Sequence, residues 1–347
     1  MSYTITEIRP SDVVSMYQVD ILLHQEGIRR DNNLDYICGL YDEDWNLIAT
    51  GSCFRNTIRC LAVTGSHRGE GLLNDILTHL IEAQMIRGIT HLFLYTKPEG
   101  VKYMQALGFY EIVRVPGALV FMENRRSGFA RYCDTLRLNQ PIGQPIAGIV
   151  MNANPFTLGH LHLVERAAWE NKAVHIFILA EESGLIPFSV RKMLVEQGIR
   201  HLKNVTCHTT GPYQISSATF PSYFLKDADA VIRAQAELDL RIFVKIAEVL
   251  SIRRRYVGQE NSSHVTALYN ETMLQKLPGT GIECIEIPRL AQGGTVISAG
   301  LVRQAIHDDR ADDIKAWVPE STYEFFRSSE GRMICAAIRQ EADVIHY

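Results

Sequence analysis

The chain has 347 residues, 46% hydrophobic and 21% charged, an ordinary globular composition long enough for two cored domains. The net charge of −4, with Arg253-Arg254-Arg255 as the one compact basic run, argues against a nucleic-acid or membrane surface. Seven scattered cysteines without C-x-x-C spacing suggest neither a disulfide framework nor a zinc site, so buried thiols and no protein-bound metal are expected. The stretch Met1 to Pro10 has no apolar core behind a basic end, and no run approaches membrane-spanning length, which points to a cytoplasmic protein.

From Thr4 to about Phe121 the pattern is mixed α+β. Ile48 to Phe54 and Ile58 to Val63 alternate like paired strands. Thr64-Gly-Ser-His-Arg-Gly-Glu-Gly71 then opens a helix-periodic run through Leu72, Leu73, Ile76, Leu77, Leu80 and Ile81. Gly69 and Gly71 let backbone N–H groups turn toward a pyrophosphate, so this loop is read as an anion cradle. A strand from His91 to Thr96 and a helix ending at Ala106-Leu-Gly-Phe-Tyr110 follow. Ser66-His-Arg-Gly69-Glu-Gly71 and Leu107-Gly108-Phe109, in this order, resemble the GCN5-related acetyltransferases, whose Q/R-x-x-G-x-G/A loop holds the pyrophosphate of coenzyme A. Ser66 stands where that family has a longer polar residue.

Residues 126–145, with Arg125-Arg126-Ser127-Gly128 and Asn139-Gln-Pro-Ile-Gly-Gln-Pro145, read as a linker between a first domain over 1–125 and a second over 146–347. The second opens on Ile146 to Met151, an apolar strand, which Asn154-Pro155 breaks before an apolar helix. Asn154 is expected to cap that helix and Pro155 to sit at its first position, aiming free amides and the positive dipole end across the turn. Thr157 and His160 share one face of the first turn, and Gly159 admits close approach of a ligand to the backbone. His162 and His175 sit within apolar elements and are read as core or rim.

Strand and helix then alternate. Strands are expected at Val174 to Leu179, Val205 to Cys207, Arg255 to Gly258 and Ile282 to Ile287. Helices are expected around Val190 to His201, Val231 to Leu250 and Val265 to Lys276. That alternation implies a parallel sheet covered on both faces, with ligands at the carboxyl ends of its strands. Ile297-Ser-Ala-Gly-Leu-Val-Arg303 opens another helix, where Ser298 can bond a phosphate oxygen and Arg303 can fork onto phosphates. Arg191 and Lys192 are further candidate phosphate cations. The Ser216 to Phe224 loop, polar at one end and aromatic at the other, is a candidate pocket lining, for acetate or adenine if the family resemblance given below holds.

Asn154-Pro-Phe-Thr157-Leu-Gly-His160 and Ile297 to Arg303 resemble the paired signatures of the T-x-G-H nucleotidyltransferases, with Gly300 where a hydroxyl is usual. The resemblance implies a Rossmann-like domain that binds ATP. It assigns catalysis to Thr157, His160, Ser298 and Arg303, with nucleotide contacts from Asn154, Phe156, Gly159, Gly258 and Arg191. Attack on the α-phosphate would release pyrophosphate, with Mg²⁺ bridging phosphate oxygens and catalysis by positioning and charge.

Together with Ile215 to Asp227, Tyr256-Val-Gly-Gln-Glu260 and Gly281 to Arg289, the two-domain order resembles citrate lyase ligase along essentially the full chain. That family uses ATP to activate acetate and acetylates the thiol of a coenzyme-A-like prosthetic group on the acyl carrier subunit of citrate lyase. Two alternatives stand beside it: an adenylyltransferase acting on phosphopantetheine or a mononucleotide, and a non-catalytic sensor of acyl-coenzyme A and ATP whose Ser66 and Gly300 mark lost chemistry.

Overall fold

Apolar alternation in the first third of the chain builds an antiparallel sheet, and apolar runs in the remainder build a parallel one. Both are seen in a computed structural model that describes residues 3–138, 143–180, 185–213, 228–260, 264–342 and 344. The chain divides into two compact units, one of residues 1–131 with 219–238, the other holding the rest.

The first unit contains β1 (Thr4–Glu7), α1 (Val13–Gln25), β2 (Tyr36–Tyr41), β3 (Leu47–Phe54), β4 (Thr57–Val63), α2 (Leu72–Ile86), β5 (Phe93–Thr96), α3 (Val101–Ala106), β6 (Tyr110–Val115) and β7 (Leu119–Glu123). The sheet order is β1-β2-β3-β4-β5-β7-β6. Every pair is antiparallel except β4·β5, which is parallel and joined only at Thr57↔Phe93 and Ile58↔Leu94. Leu72, Ile76, Leu77 and Leu80 of α2 are buried against this sheet with Cys38, Ile58 and Leu94, as the helical spacing requires. Burial pushes the thiols of Cys38, Cys53 and Cys60 up to about 12, so they are protonated packing groups.

The expected linker carries a helix, α4 (Gly128–Arg137), with Cys133 and Leu136 buried. The carboxylate of Glu123 accepts the Phe129 N–H at 2.7 Å and pairs with His91 Nε2 at 2.7 Å, satisfying a first-turn amide of that helix.

The second unit follows the expected alternation: β8 (Ile146–Met151), α5 (Leu158–Glu170), β9 (Ala173–Ile178), α6 (Phe188–Gly198), β10 (Val205–Thr209), α7 (Ala228–Leu250), β11 (Arg254–Gly258), α8 (His264–Lys276) and β12 (Glu283–Ile287). A two-stranded hairpin, β13 (Ala291–Gln292) and β14 (Thr295–Val296), leads into α9 (Ala299–His307), followed by α10 (Glu320–Arg327) and α11 (Ser329–Ile338). Residues of α7 up to Leu238 belong to the first unit. The five strands are all parallel in the order β10-β9-β8-β11-β12. β9 is buried along its whole length, as a central parallel strand covered on both faces must be. Val164, Leu194, Val302, Tyr323 and Ile334, from α5, α6, α9, α10 and α11, join one core with these strands.

From β8 the chain steps outward to β9 and β10, then crosses to β11 on the other side. The switch point, where such sheets open a crevice, therefore lies between the carboxyl ends of β8 and β11. No described helix is long and apolar enough to cross a membrane.

Candidate nucleotide site

Thr157, not Asn154, caps α5. Its hydroxyl accepts the His160 N–H at 3.3 Å, while the Thr157 N–H donates to His160 Nδ1 at 3.1 Å, a reciprocal box that starts the helix at Leu158. Asn154, Pro155 and Phe156 instead form a buried approach to that start, so the expectation of an Asn154 cap with Pro155 at the first helical position is corrected by three residues. The Leu158 N–H is taken by the Trp317 carbonyl at 2.8 Å.

That box also sets the chemistry of the imidazole. Because Nδ1 accepts from the Thr157 N–H, the neutral ring carries its proton on Nε2, a donor pointed away from the cap. Burial, then the positive charges of Arg289 and Arg303, bring the His160 pKa down to about 4, so the ring is neutral at pH 7. It remains half-buried and stacks at 18° on Phe156, with ring centroids 5.8 Å apart.

The two motif helices meet. A Cβ added at Gly159 would lie 3.1 Å from the Ile297 carbonyl oxygen and 3.5 Å from Thr157 Oγ1, so any larger residue would push the turn before α9 back by a few tenths of an ångström. Ser298 follows at once and caps α9, accepting the Leu301 N–H at 3.0 Å. Arg303, one turn further, reaches back: one Nη donates to the Asn154 carbonyl, and Nε donates to the Val344 carbonyl at 2.6 Å. Arg303 is 2% exposed, and its guanidinium ties the second motif to the first through the main chain.

Asn154 has a buried side-chain amide whose oxygen and nitrogen both lack a partner among the described residues. Each such atom costs about 1–3 kcal/mol when left unmade, which marks this amide as available to a ligand. Gly258, at the end of β11, is exposed with open space where a Cβ would sit, and its carbonyl accepts from Asn270 Nδ2 at 2.9 Å.

Two expected nucleotide contacts are taken up by packing. Phe156 is 0% exposed in the core, and a Cβ on Gly198 would come within 2.5 Å of its ring. Arg191 is likewise fully buried: Nε donates to the Ile186 carbonyl at 3.1 Å, and Nη1 to Asn152 O, Asn152 Oδ1 and Leu179 O at 2.7, 2.8 and 3.0 Å. In this geometry Arg191 is a strut that holds the loops after β8 and β9. Lys192 pairs with Glu196 on the surface of α6. His175 is core, as read from the sequence, with Nδ1 and His208 Nε2 2.8 Å apart. The Ser216 to Phe224 loop lies outside the described residues.

Arg289, which the sequence reading passed over as a site residue, stands two positions beyond β12 at the same sheet edge. Its signals there are the Pro288-Arg289 step after a strand, which is shared by many turns, and its place at the end of the Gly281 to Arg289 segment that carries the family resemblance.

In the first unit Gly69 (φ 91°) and Gly71 (φ 84°) adopt the left-handed backbone that the cradle needs, with Gly71 at the cap of α2 and open space around both.

A Rossmann-like parallel sheet with T-x-G-H at its switch point defines a nucleotidyltransferase-like domain, here preceded by a mixed α+β unit. Residues 146–326 match the citrate lyase ligase C-terminal domain family. Citrate (pro-3S)-lyase ligase of Haemophilus influenzae is 34% identical over 315 residues, covering 89% of this chain and 94% of that protein. The Escherichia coli protein of the same name is 35% identical over 329 residues, covering 93% of each. A solved GNAT-family acetyltransferase from Staphylococcus aureus is 15% identical over 36% of this chain and 100% of its own, with a TM-score of 0.31. The chain belongs to the citrate lyase ligase family and is an enzyme of the acid–thiol ligase class.

Proposed function

We propose that the enzyme joins acetate to a thiol at the expense of ATP in two steps. A carboxylate oxygen of acetate attacks the α-phosphorus, the bond to the bridging oxygen breaks, and pyrophosphate leaves with Mg²⁺. The thiolate of a coenzyme-A-like arm on the acyl carrier subunit of citrate lyase then attacks the acetyl carbonyl, and AMP leaves. Residues 146–347 carry the first step. Residues 1–125, through the Gly69–Gly71 cradle, hold the phosphorylated arm. The reaction runs in the cytoplasm.

The observation that supports this reading is the meeting of the two helix starts, Gly159 against the Ile297 carbonyl, at the carboxyl edge of β8 and β11. Two positive dipole ends then face one polyanion. His160 donates from Nε2 to an α-phosphate oxygen without a proton of its own to lose near neutrality. Thr157 acts by orienting that ring, Ser298 by shaping the second start, Arg303 by clamping the two together, and the Asn154 amide by turning to the nucleotide.

Acetate-dependent exchange of labelled pyrophosphate into ATP tests the adenylate, and mass analysis after addition of a dephospho-coenzyme-A-type thiol tests the transfer. Exchange that His160→Ala abolishes, with AMP and thioester as products, is expected. A dinucleotide-like product from phosphopantetheine would overturn the ligase reading, and ATP binding without exchange would overturn catalysis.

A further inference from the structure

The adenylation reading needs a cation for the leaving phosphates, and the arginines expected to supply it are engaged elsewhere. Arg191 directs its guanidinium to main-chain carbonyls and Asn152, Arg303 to the carbonyls of Asn154 and Val344, and Lys192 to Glu196. We propose that Arg289, on the loop after β12, is the residue that receives the β- and γ-phosphates of ATP; the assignment rests on the adenylation reading above.

Three observations place it. Arg289 sits at the carboxyl edge beside the end of β11: its Nε donates to the Gln259 carbonyl at 2.7 Å and its Nη2 to the carboxylate of Glu260. Glu260 is nearly buried, with 5% of its side chain exposed against 29% for Arg289, so the carboxylate fixes a guanidinium that stays partly open to solvent. Nη1 has no acceptor among the described residues. A guanidinium serves two planar partners at once, a carboxylate on one edge and a phosphate on the other, which a lysine cannot do.

The loop is also anchored to both motifs. The Leu290 carbonyl, next in sequence, accepts the Ile297 N–H at 2.9 Å, and the Ile297 carbonyl lies against Gly159. The hairpin β13–β14 is therefore closed at its base, and Arg289 is held at a set distance from the starts of α5 and α9. Its charge reaches His160, where it depresses the imidazole pKa more than Arg303 does. Arg289 thus supplies positive field while His160 supplies a neutral donor, a division that lets one polyanion be held without a second cation on the imidazole.

The test uses the full chain and inorganic pyrophosphate as the probe, titrated calorimetrically, alongside acetate-dependent exchange. In Arg289→Gln the pyrophosphate affinity falls about tenfold or more and KM for ATP rises, with the far-ultraviolet spectrum unchanged. The His160 ring, followed by nitrogen NMR, titrates at higher pH than in the parent. Unchanged pyrophosphate affinity in a folded variant makes Arg289 a strut between strand ends and overturns the proposal. Should Arg289→Gln fail to fold, Arg289→Lys keeps the charge and loses the fork; a fall of several-fold supports the assignment and parent-like affinity overturns it. Failure of the parent to exchange pyrophosphate sinks the adenylation reading, whereas loss of affinity in the variants still supports an anion site at Arg289. A parent that does not bind pyrophosphate overturns both.

Discussion

Replacing Gly159 by alanine separates the contribution of the helix from that of the site. In the first turn of α5 the new methyl raises helix propensity by up to about 1 kcal/mol. It also meets the Ile297 carbonyl oxygen at 3.1 Å and Thr157 Oγ1 at 3.5 Å, so the carbonyl must retreat by a few tenths of an ångström. Overpacking of that kind costs about 1–3 kcal/mol, leaving a net loss of roughly 0–3 kcal/mol and, at about 2–4 °C per kcal/mol for a domain of this size, a fall in Tm of no more than about 12 °C. Catalysis suffers more than stability, because the displaced peptide carries Ser298. If 1 Å of misplacement costs about a hundredfold, a few tenths cost about tenfold or less. A thermal melt paired with acetate-dependent pyrophosphate exchange reads both quantities. An alanine variant with a raised Tm and full exchange would refute the idea that this approach sets the distance between the two helix starts.

Four further outcomes follow from the same geometry. Burial holds His175 and His208 at about 4, against 6.5 when unfolded, so the unfolded chain takes up more protons between these values. Their contribution is complete above pH 6.5 and is lost as pH falls toward 4, by about 2 kcal/mol at pH 5 for the first proton taken up; urea midpoints at pH 7.5 and 5.0 check this. His160 shares that depression, so the exchange rate has no acid limb near 6.5; a limb there that disappears in His160→Asn would contradict the neutral-donor role. Arg191→Met removes at least four hydrogen bonds from a buried guanidinium, at about 2–5 kcal/mol, yet leaves KM for ATP in the folded fraction unchanged; a raised KM with parent-like Tm would return Arg191 to the phosphates. Gly71→Ala forces a side chain to φ 84°, at about 1–2 kcal/mol, and weakens coenzyme A binding by calorimetry while sparing exchange; equal binding would remove the cradle from the proposal.

What could be read in advance was whatever repeats at short range. The run Ile146 to Met151, the breaker after it and the apolar spacing of Leu161 and Val164 announce strand, turn and helix wherever the chain lies. The strand alternation from Val174 to Ile287 announces a parallel sheet, and the sheet announces its carboxyl edge. What could not be read was which partner each polar group would meet. Asn154 looks like a cap until Thr157, three residues on, closes a box with His160. Arg191 looks like a phosphate ligand until the loops after β8 and β9 bring Asn152 and Leu179 around it. Phe156 looks like a nucleotide contact until Gly198 opens a slot beneath it. In each case the deciding group is another residue's, which the local pattern around the residue itself does not name. Helix α4 was hidden by the turn-forming residues at both its ends.

The bond from Arg303 to the Val344 carbonyl has a practical meaning for anyone who handles the protein. A substitution near Val344 that moves its carbonyl slackens the clamp that joins the two nucleotide motifs, although it touches neither of them. Variants made around Val344 are therefore to be judged by turnover as well as by melting.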